Sequence, residues 1–275
     1  MTAAETALES WHRWTEARTA AAGAPHGPLA LVGTHWLGPD RERIPGLPGE
    51  WWAHDGTVRL HVEAADGILP EGGDASVHGG AYLHGEVALH PDTHPEPQRA
   101  THGELRLVPI EREGELALRV FDPAAPARTA FAGIDTYPYA PDWAVTAVFT
   151  PFERGDQALT VPNADGRERP LALAGQIAFT LCGEEHALTV GRSTGGRLSA
   201  VIADTTSGHE TYRFRFLTLP APDADGRTVL DLNRAFLPPC AFADHFICPF
   251  PPPGNKLPVA VEAGERHVVT KGEPA

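Results

Sequence analysis

The sequence predicts a mainly β protein, with antiparallel sheets arranged like a barrel or sandwich, an N-terminal helix and a long proline-rich C-terminal loop. Apolar and polar residues alternate over short runs, and dipeptides such as Asp55-Gly56 and Glu113-Gly114 separate those runs. This pattern is typical of strands joined by tight turns. The 28 glycines and 27 prolines among 275 residues also favour short strands over long helices.

The beginning of the chain is the part with helical periodicity. Thr2 and Glu5 have the spacing of a capping box, in which each side chain hydrogen-bonds a free backbone N–H at the start of a helix. Apolar residues such as Trp11 follow at helical spacing, and Gly23 is typical of a helix end. We therefore predict a helix over residues 3–22, in which Leu8, Trp11 and Trp14 dock on the body of the protein.

Two hairpins are predicted in the first half of the chain. Asp55-Gly56 joins two alternating runs, and this dipeptide suits a two-residue turn because both of its positions need positive φ. Leucines alternate with polar residues on both sides of Glu113-Gly114. That alternation indicates an antiparallel pair with one buried face.

The predicted domain organisation is a single β-rich unit over residues 1–275. The alternation around residues 103–131 loosely resembles the alternation around residues 175–214. A division into sub-modules over residues 28–150 and 151–275, preceded by the helix, is therefore kept as an alternative.

Composition and charge restrict the partners of the protein. The formal net charge of −14 argues against nucleic acid or an anionic membrane surface as a partner. The sequence contains no run of about 18 apolar residues that would predict a membrane span. The N-terminus lacks the basic start and apolar stretch of a secretion signal, and three cysteines in such a chain favour reduced thiols. We therefore expect a cytoplasmic protein, and its oligomeric state stays open.

The stretch from Asp231 to Glu265 is the most informative part of the sequence. Seven prolines fall between Pro238 and Pro258, and proline removes backbone donors and blocks helices. A connection of this length is usually a binding or active-site loop, or else disordered. The phenylalanines of the stretch need burial, which argues against disorder. The sequence therefore predicts a functional site at this loop.

Cys240 and Cys248 lie within the loop, with His245 between them. The favoured interpretation is a pair of small apolar thiols that are buried under the loop. A disulfide or redox pair is one alternative. Another is thiol catalysis or zinc binding through Cys240, His245 and Cys248, although this spacing is wider than that of structural zinc sites. No metal is assigned from these residues.

Two further patterns resemble known motifs and receive a plainer interpretation. Gly191, Ser193 and Gly195 have the G-x-S-x-G spacing of serine hydrolases, but a β-like run follows them, so we predict a hairpin turn. His90 and His94 have the helical spacing of metal ligands. The prolines beside them exclude a regular helix, so we expect exposed loop histidines.

Two segments of the C-terminal half carry a longer pattern. The first has the form D-x-T-S-G-x-E-T-Y followed by Arg-aromatic-Leu, and the second contains N-R-A-F, P-x-C-A-F, C-P-x-P-P and A-G-E. The residues that fit are Asp204, Thr206, Ser207, Gly208, Glu210, Thr211, Tyr212, Arg215, Phe216, Leu217, Asp231, Asn233, Arg234, Ala235, Phe236, Pro238, Cys240, Ala241, Phe242, Cys248, Pro249, Pro251, Pro252, Asn255, Leu257, Ala263, Gly264 and Glu265. This pattern resembles that of the bacterial domain of unknown function family 1684. The resemblance implies a β-rich protein with a shared site around the loop, and it implies no particular reaction.

The function predicted from these residues is a small-molecule enzyme of the hydrolytic or proton-transfer type. Its pocket is expected between the hairpin of residues 204–215 and the loop of residues 233–255. The expected catalytic residues, with carboxylates as general bases and a tyrosine as donor, are Glu210, Tyr212 and Glu265. The expected substrate-binding residues, whose arginines would hold an anionic group of the ligand, are Arg215, Asn233, Arg234, Asn255 and Glu262.

No cofactor is predicted, because the sequence contains no G-x-G-x-x-G, Walker A or H-E-x-x-H motif. One alternative function is a non-catalytic, ligand-binding or sensing β protein that uses the same pocket. In another alternative, the motif residues only close the sheet, and the function lies elsewhere in the chain.

Overall fold

The computed structural model describes residues 3–71 and 82–272. Within these ranges the regular secondary structure is mostly strands in antiparallel sheets, which include a half-barrel, and the protein has one long N-terminal helix. The predicted fold class is therefore confirmed. Contacts divide the chain into two compact units. Residues 22–129 form the N-terminal unit, and residues 1–21 and 130–275 form the C-terminal unit.

In the described part of the N-terminal unit, eight strands form two sheets. The strands are β1 (Leu31–Trp36), β2 (Glu50–His54), β3 (Thr57–Val62), β4 (Ile68–Glu71), β5 (Gly85–Leu89), β6 (Arg99–His102), β7 (Leu105–Arg112) and β8 (Glu115–Phe121). One sheet has the order β1-β8-β7-β6-β4, and the other has the order β2-β3-β5. Apolar side chains of both sheets form a buried cluster that includes Trp51, Leu60, Ile68 and Leu107.

Both predicted hairpins of this unit are present. Asp55-Gly56 joins β2 to β3, and Glu113-Gly114 joins β7 to β8. The φ angle is 47° at Asp55, 68° at Gly56, 56° at Glu113 and 82° at Gly114. All four residues therefore have the positive φ that a two-residue turn between twisted strands requires.

The C-terminal unit begins with helix α1 (Ala3–Ala22), as predicted, and the short helix α2 (Pro126–Ala130) leads into its strands. The strands are β9 (Phe131–Thr136), β10 (Ala144–Pro151), β11 (Gln157–Pro162), β12 (Glu168–Leu173), β13 (Gly175–Leu181), β14 (Glu184–Arg192), β15 (Leu198–Ile202), β16 (Arg215–Leu219), β17 (Arg227–Asp231) and β18 (Glu265–Thr270). The main sheet has the order β16-β15-β14-β13-β10-β17. β11 pairs with β12, and β18 pairs with β9.

The main sheet buries one of its faces in the core of the C-terminal unit. Ile177 and Phe179 of β13 are buried, and the residues between and beside them are exposed. Successive strand residues point to opposite faces, so this alternation aims every second side chain at the core. Leu188, Leu198 and Leu217 from the neighbouring strands complete the buried cluster.

The single unit over residues 1–275 and its alternative, sub-modules over residues 28–150 and 151–275, stay predictions; contacts divide the chain after residues 21 and 129. β10 lies at the predicted boundary, but it pairs with β13 and β17 and belongs to the C-terminal unit. The partners of β10 are distant in sequence, and such a pairing leaves no local signal.

The G-x-S-x-G segment forms a turn, as predicted. β14 ends at Arg192, the turn covers Thr194–Gly196, and β15 begins at Leu198. A strand follows the serine, so the strand-to-helix elbow that exposes the nucleophile of serine hydrolases is not formed here.

His84, His90, His94 and His102 lie in the N-terminal unit. The rings of His90 and His94 stack with 3.9 Å between their centroids, and His84 is exposed. Within residues 3–71 and 82–272, no three His, Cys, Asp or Glu side chains are grouped as ligands of a metal ion. In the same ranges, no helix is both long and apolar enough to cross a membrane.

Candidate functional site

The proline-rich loop lies in the C-terminal unit and connects β17 to β18 over residues 232–264. We call it the C-terminal loop. Short 3-10 turns over Leu232–Arg234 and Pro239–Ala241 are regular parts of it. Buried polar side chains hold it against the strands and α1, and we call them the loop anchors. The loop anchors are Arg215, Asn233, Asn255 and Glu265.

Arg215, the first residue of β16, forms a fully buried ion pair with Asp204. Both side chains are 0% exposed, and Arg215 Nη2 lies 2.7 Å from Asp204 Oδ2. Arg215 also donates to the carbonyl oxygens of Val261 and Ala263, and Asp204 Oδ1 accepts from the Val261 N–H at 3.3 Å. A buried charge needs such partners to replace its hydration. The ion pair and the end of the C-terminal loop therefore order each other.

Glu265, the first residue of β18, lies in a second ion pair, which is partly buried. Its side chain is 1% exposed, and its two oxygens accept from Arg18 Nε at 2.7 Å and from Arg18 Nη2 at 2.8 Å. Glu265 Oε2 also accepts from the Leu237 N–H at 2.7 Å, and Arg18 Nη2 donates to the Leu237 carbonyl at 3.2 Å. Arg18 belongs to α1, so this bidentate pair joins the helix to the C-terminal loop. The catalytic role of Glu265 stays a prediction.

Asn233 binds the backbone of a distant segment with its side-chain amide. Its Oδ1 accepts from the Ala140 N–H at 3.0 Å, and its Nδ2 donates to the Ala140 carbonyl at 2.9 Å. The carbonyl of Asn233 accepts from the indole N–H of Trp11 at 3.0 Å. Trp11 is buried, so α1 docks through this tryptophan, as the sequence predicts. Trp14 is half-buried, whereas Leu8, the third residue expected to dock, is 40% exposed.

Asn255 binds β14 and β15 in the same manner. Its Oδ1 accepts from the Thr189 N–H at 2.8 Å, and its Nδ2 donates to the carbonyls of Thr189 at 2.8 Å and Val201 at 3.0 Å. Backbone hydrogen bonds on both sides of it join the C-terminal loop to Ala203: the Ala203 N–H donates to the Asn255 carbonyl, and the Leu257 N–H donates to the Ala203 carbonyl. The asparagine amide thus takes the place of a missing strand neighbour.

Arg234 and Glu262, the other predicted substrate-binding residues, lie closer to the surface. Arg234 Nε donates to Asp231 Oδ2 at 3.1 Å, and its Nη2 donates to Ser10 Oγ at 2.9 Å. Its guanidinium carbon lies 5.8 Å from the centre of the Trp14 ring. Glu262 is exposed. Arg234 therefore contacts α1, and its role towards a ligand stays a prediction.

The predicted catalytic residues each have different partners. Glu210 is exposed, and its Oε2 accepts from the Tyr137 hydroxyl at 3.0 Å. Burial and this hydrogen bond raise the pKa of Tyr137. Tyr212 contacts Cys240, whereas Glu265 pairs with α1. The contacts of the three residues do not converge, and their catalytic roles stay predictions.

A cavity of about 210 Å³ lies beside the C-terminal loop, and we call it the loop cavity. Residues of β12, β14, β15 and β16 line it, together with Phe236, Pro249 and Pro252 of the C-terminal loop. Among the described residues that line it, none is charged. Its polar side chains are the hydroxyl groups of Thr189, Ser199 and Thr218.

The loop cavity lies on the face of the main sheet that is turned away from the core. Ser199 of β15 and Phe216 and Thr218 of β16 alternate in sequence with residues of the buried cluster. They therefore share the opposite face. Gly191 of β14 lies beside Ser199, and a Cβ on this glycine would come within 2.6 Å of the Ala172 carbonyl oxygen. Glycine is needed here because β12 approaches so closely.

A second group of reactive side chains lies on the C-terminal loop, and we call it the thiol cluster. It consists of Cys240, Cys248, Tyr212 and Arg213. The Cys240 N–H donates to Cys248 Sγ at 3.3 Å, and the Tyr212 hydroxyl lies 3.1 Å from the Cys240 carbonyl oxygen and 3.7 Å from its sulfur. Arg213 Nε donates to the Tyr212 hydroxyl oxygen at 3.3 Å. Both cysteines are buried free thiols, whereas His245 is exposed.

The contacts within the thiol cluster change its acidity. A hydrogen bond with the Cys248 side chain lowers the pKa of Cys240 to about 7, against the opposing effect of burial. The Tyr212 hydroxyl and the positive charge of Arg213 contribute to this lowering. Burial and the hydrogen bond to Cys240 raise the pKa of Tyr212 to about 12. This lowered pKa favours the thiolate of Cys240, which is the nucleophilic form of a thiol.

Several residues of these two places are absent from the predicted site. Thr189, Ser199 and Thr218 carry hydroxyl groups on strands, where they alternate with apolar residues of the core. This alternation predicts that the strands have a second, polar face. Arg213 has a weaker signal, because only the folding of the C-terminal loop brings it to the thiol cluster.

Comparisons with known proteins agree with the resemblance seen in the sequence. The model of a family described as "Protein of unknown function (DUF1684)" matches residues 129–266. A solution NMR structure of an uncharacterized protein from Haloarcula marismortui is 32% identical to this chain, covers 50% of this chain and 78% of its own, and has a TM-score of 0.42. None of the curated proteins matches. The part matched by the family model contains the loop anchors, the loop cavity and the thiol cluster.

Proposed function

Because the chain belongs to the DUF1684 family of proteins of unknown function, we propose a function from the site itself: the protein binds a small, uncharged and mainly apolar molecule in the loop cavity. The observation that carries this proposal is the loop cavity, which strands line on one side and the C-terminal loop lines on the other. Concave, mainly apolar sites with a few placed polar groups are the usual form of small-molecule sites.

The volume of the loop cavity limits the size of the ligand. Drug-sized ligands occupy pockets of about 300–1,000 Å³, whereas an apolar cavity of about 150 Å³ is enough for benzene. A volume of about 210 Å³ therefore suits a molecule somewhat larger than a single aromatic ring.

The lining limits the polarity of the ligand. The hydroxyls of Thr189, Ser199 and Thr218 can each donate and accept one or more hydrogen bonds. A ligand with one hydroxyl or carbonyl group satisfies them, whereas an ion would lose its hydration without a partner charge. The proposal therefore replaces the anionic ligand expected from the sequence: Arg215 is completely buried, and its guanidinium binds Asp204 and loop carbonyls.

The loop anchors support a binding role because they order the wall of the loop cavity. Asn255 fixes the C-terminal loop just beyond Pro252, and Asn233 fixes it just before Phe236. A wall that is ordered before the ligand arrives lowers the entropy cost of binding. The anchors thus act on affinity without touching the ligand.

Binding is preferred to hydrolysis or proton transfer as the function of this cavity. Acid–base catalysis needs a titratable group within hydrogen-bond reach of the reacting atom. The titratable residues Glu210, Tyr212 and Glu265 are not among the residues that line the loop cavity. The hydroxyl groups that line the loop cavity suit the recognition of a ligand and not acid–base catalysis.

The proposal includes a cytoplasmic location. Its support is that Cys182, Cys240 and Cys248 are free thiols, a state that the reducing cytosol maintains. Fractionation of cells that express the full-length chain tests this location, and recovery from an oxidising compartment would contradict it.

Ligand binding can be tested with uncharged probes. We expect indole and benzyl alcohol, titrated into the 15N-labelled full-length protein, to shift the backbone NMR signals of Thr189, Ser199 and Thr218 in a saturable manner. In Ser199→Phe, the new ring occupies the loop cavity, and we expect the shifts of Thr189 and Thr218 to fall at least tenfold at equal probe concentration.

Val229→Phe is the matched control for this variant. Val229 is 48% exposed on β17, so the same added ring lies in solvent and the probe shifts should persist. Equal binding by Ser199→Phe and the unmodified protein would contradict the proposal. Turnover of esters of the same probes, lost in Ser199→Phe, would contradict its non-catalytic form.

A further inference from the structure

We propose that Cys240 and Cys248 form a redox-active thiol pair, in which Cys240 reacts with hydrogen peroxide and Cys248 then closes a reversible disulfide. This inference concerns the thiol cluster and does not depend on ligand binding in the loop cavity. It selects one of the alternatives that the sequence leaves open for these two cysteines.

The backbone brings the two thiols into contact before any oxidation. Cys240 lies in the short turn Pro239–Ala241, and its N–H donates to Cys248 Sγ at 3.3 Å. A disulfide forms only between cysteines that already lie close together, and this pair meets that condition within one loop.

The surroundings of Cys240 favour its thiolate. The Tyr212 hydroxyl approaches the sulfur to 3.7 Å, and Arg213 lies behind that hydroxyl with its Nε at 3.3 Å. The guanidinium of Arg213 is fixed over the Phe250 ring at 4.9 Å. A hydroxyl donor and a nearby cation lower the pKa of a thiol, in agreement with the pKa of about 7 for Cys240.

The low exposure of the two cysteines limits which oxidants can reach their sulfur atoms. Cys240 is 5% exposed and Cys248 is 4% exposed, so a protein disulfide could not reach either sulfur without displacing the loop. Hydrogen peroxide is close to water in size. Cys182, in contrast, is exposed in the turn between β13 and β14, and it provides an internal comparison.

The proposed reaction has two steps. The Cys240 thiolate attacks one oxygen of hydrogen peroxide, so that an S–O bond forms, the O–O bond breaks, and the leaving hydroxide takes a proton to become water. Cys240 is then a sulfenic acid. The Cys248 sulfur attacks the Cys240 sulfur, an S–S bond forms, the S–O bond breaks, and the hydroxyl leaves as water with the proton of Cys248. The two thiols lose two electrons in total, and the peroxide gains them.

A mass-spectrometric experiment on the unmodified, full-length protein tests the pair. The reduced protein is treated with hydrogen peroxide, denatured in N-ethylmaleimide and digested with trypsin. Both cysteines lie in one tryptic peptide, residues 235–256, and Cys182 lies in another, residues 168–192. We expect the first peptide to carry no maleimide and to be lighter than its reduced form by two hydrogen atoms. Dithiothreitol should restore it.

Two results of the same experiment would contradict the proposal. If residues 235–256 carry two maleimide groups after a peroxide dose that oxidises Cys182, the proposal is wrong. The same holds if the peptide is oxidised only to sulfinic or sulfonic acids, because a resolving thiol would intercept the sulfenic acid first.

Single variants test the separate roles of the two thiols. In Cys248→Ser, which keeps a hydroxyl donor beside Cys240, the sulfenic acid should persist, and dimedone should label Cys240. In Cys240→Ser, dimedone should label Cys248 at least tenfold less at the same peroxide dose. Equal labelling of the two variants would contradict the assignment of Cys240 as the reacting thiol.

Discussion

Single side chains of the C-terminal loop make hydrogen bonds that the backbone of a neighbouring strand makes in a regular sheet. A segment with seven prolines between Pro238 and Pro258 lacks many backbone donors and cannot form an ordinary sheet ladder. The side-chain amide of Asn255 supplies both a donor and an acceptor to Thr189, as a neighbouring peptide group would. Asn233 does the same for Ala140. Buried backbone groups are thereby satisfied without a regular strand.

The acidity of Cys240 gives a prediction at the same scale. Its pKa is lowered from 9.0 to about 7 by Cys248, Tyr212 and Arg213, so its thiolate fraction rises around pH 7. We predict that the alkylation rate of Cys240 by iodoacetamide, followed by peptide mass spectrometry, rises with a midpoint near pH 7. Arg213→Gln removes the cation and should move this midpoint to higher pH.

Arg197→Gln is the control for Arg213→Gln, because Arg197 is an exposed arginine outside the thiol cluster. Its midpoint should stay near that of the unmodified protein. A midpoint near pH 9 in the unmodified protein, or equal midpoints in Arg213→Gln and Arg197→Gln, would contradict the proposed environment of Cys240.

At the scale of elements, the C-terminal loop depends on the buried ion pair between Arg215 and Asp204. Arg215→Met leaves the Asp204 carboxylate buried without its cation, and we predict a loss of about 3–5 kcal/mol in the free energy of unfolding. In the double variant Arg215→Met with Asp204→Leu, no charge is left unpaired, so the loss should be smaller than in Arg215→Met alone. Urea denaturation measures both.

Arg192→Met provides the comparison for this ion pair. Arg192 and Asp156 form an exposed pair with 3.5 Å between their charged atoms and 48% and 56% exposure, and such pairs contribute at most about 1 kcal/mol. If Arg215→Met is no more destabilised than Arg192→Met, the buried pair does not hold the C-terminal loop.

Local signals account for the elements that could be predicted from the sequence. The turn at Asp55-Gly56 follows from the positive φ that both residues need, and α1 follows from its periodicity and its end at glycine. The pairing of β10 with β17 could not be predicted from local signals, because no pattern within either strand identifies a partner that is so distant in sequence. Elements with their own sequence signature were predictable, and the pairing between distant elements was not.

The candidate site was predictable in place but not in detail. Seven prolines and two cysteines pointed to the C-terminal loop, which lines the loop cavity and carries the thiol cluster. The sequence could not tell whether a polar residue such as Arg215 faces a ligand or the protein interior. That distinction depends on carbonyl groups of residues 261–265, which only the fold brings to Arg215.

At the scale of the whole molecule, the C-terminal unit is closed by contacts between the two ends of the chain. Arg18 and Glu265 are 247 positions apart, and Trp11 and Asn233 are 222 positions apart. The N-terminal helix therefore belongs to the same compact unit as the C-terminal loop, although residues 22–129 lie between them in sequence. α1 contacts the C-terminal loop at Asn233 and Leu237, and strands of the main sheet line the loop cavity together with Phe236 of that loop.

A crystal structure of the protein soaked with indole shows whether the loop cavity binds a small apolar molecule. We expect a fully ordered C-terminal loop and electron density for indole in the loop cavity, in contact with Thr189, Ser199 or Thr218. Phe236 should keep its position between the soaked and unsoaked crystals. A structure in which Phe216 and Phe236 fill this space, with indole bound elsewhere or not at all, would contradict ligand binding in the loop cavity.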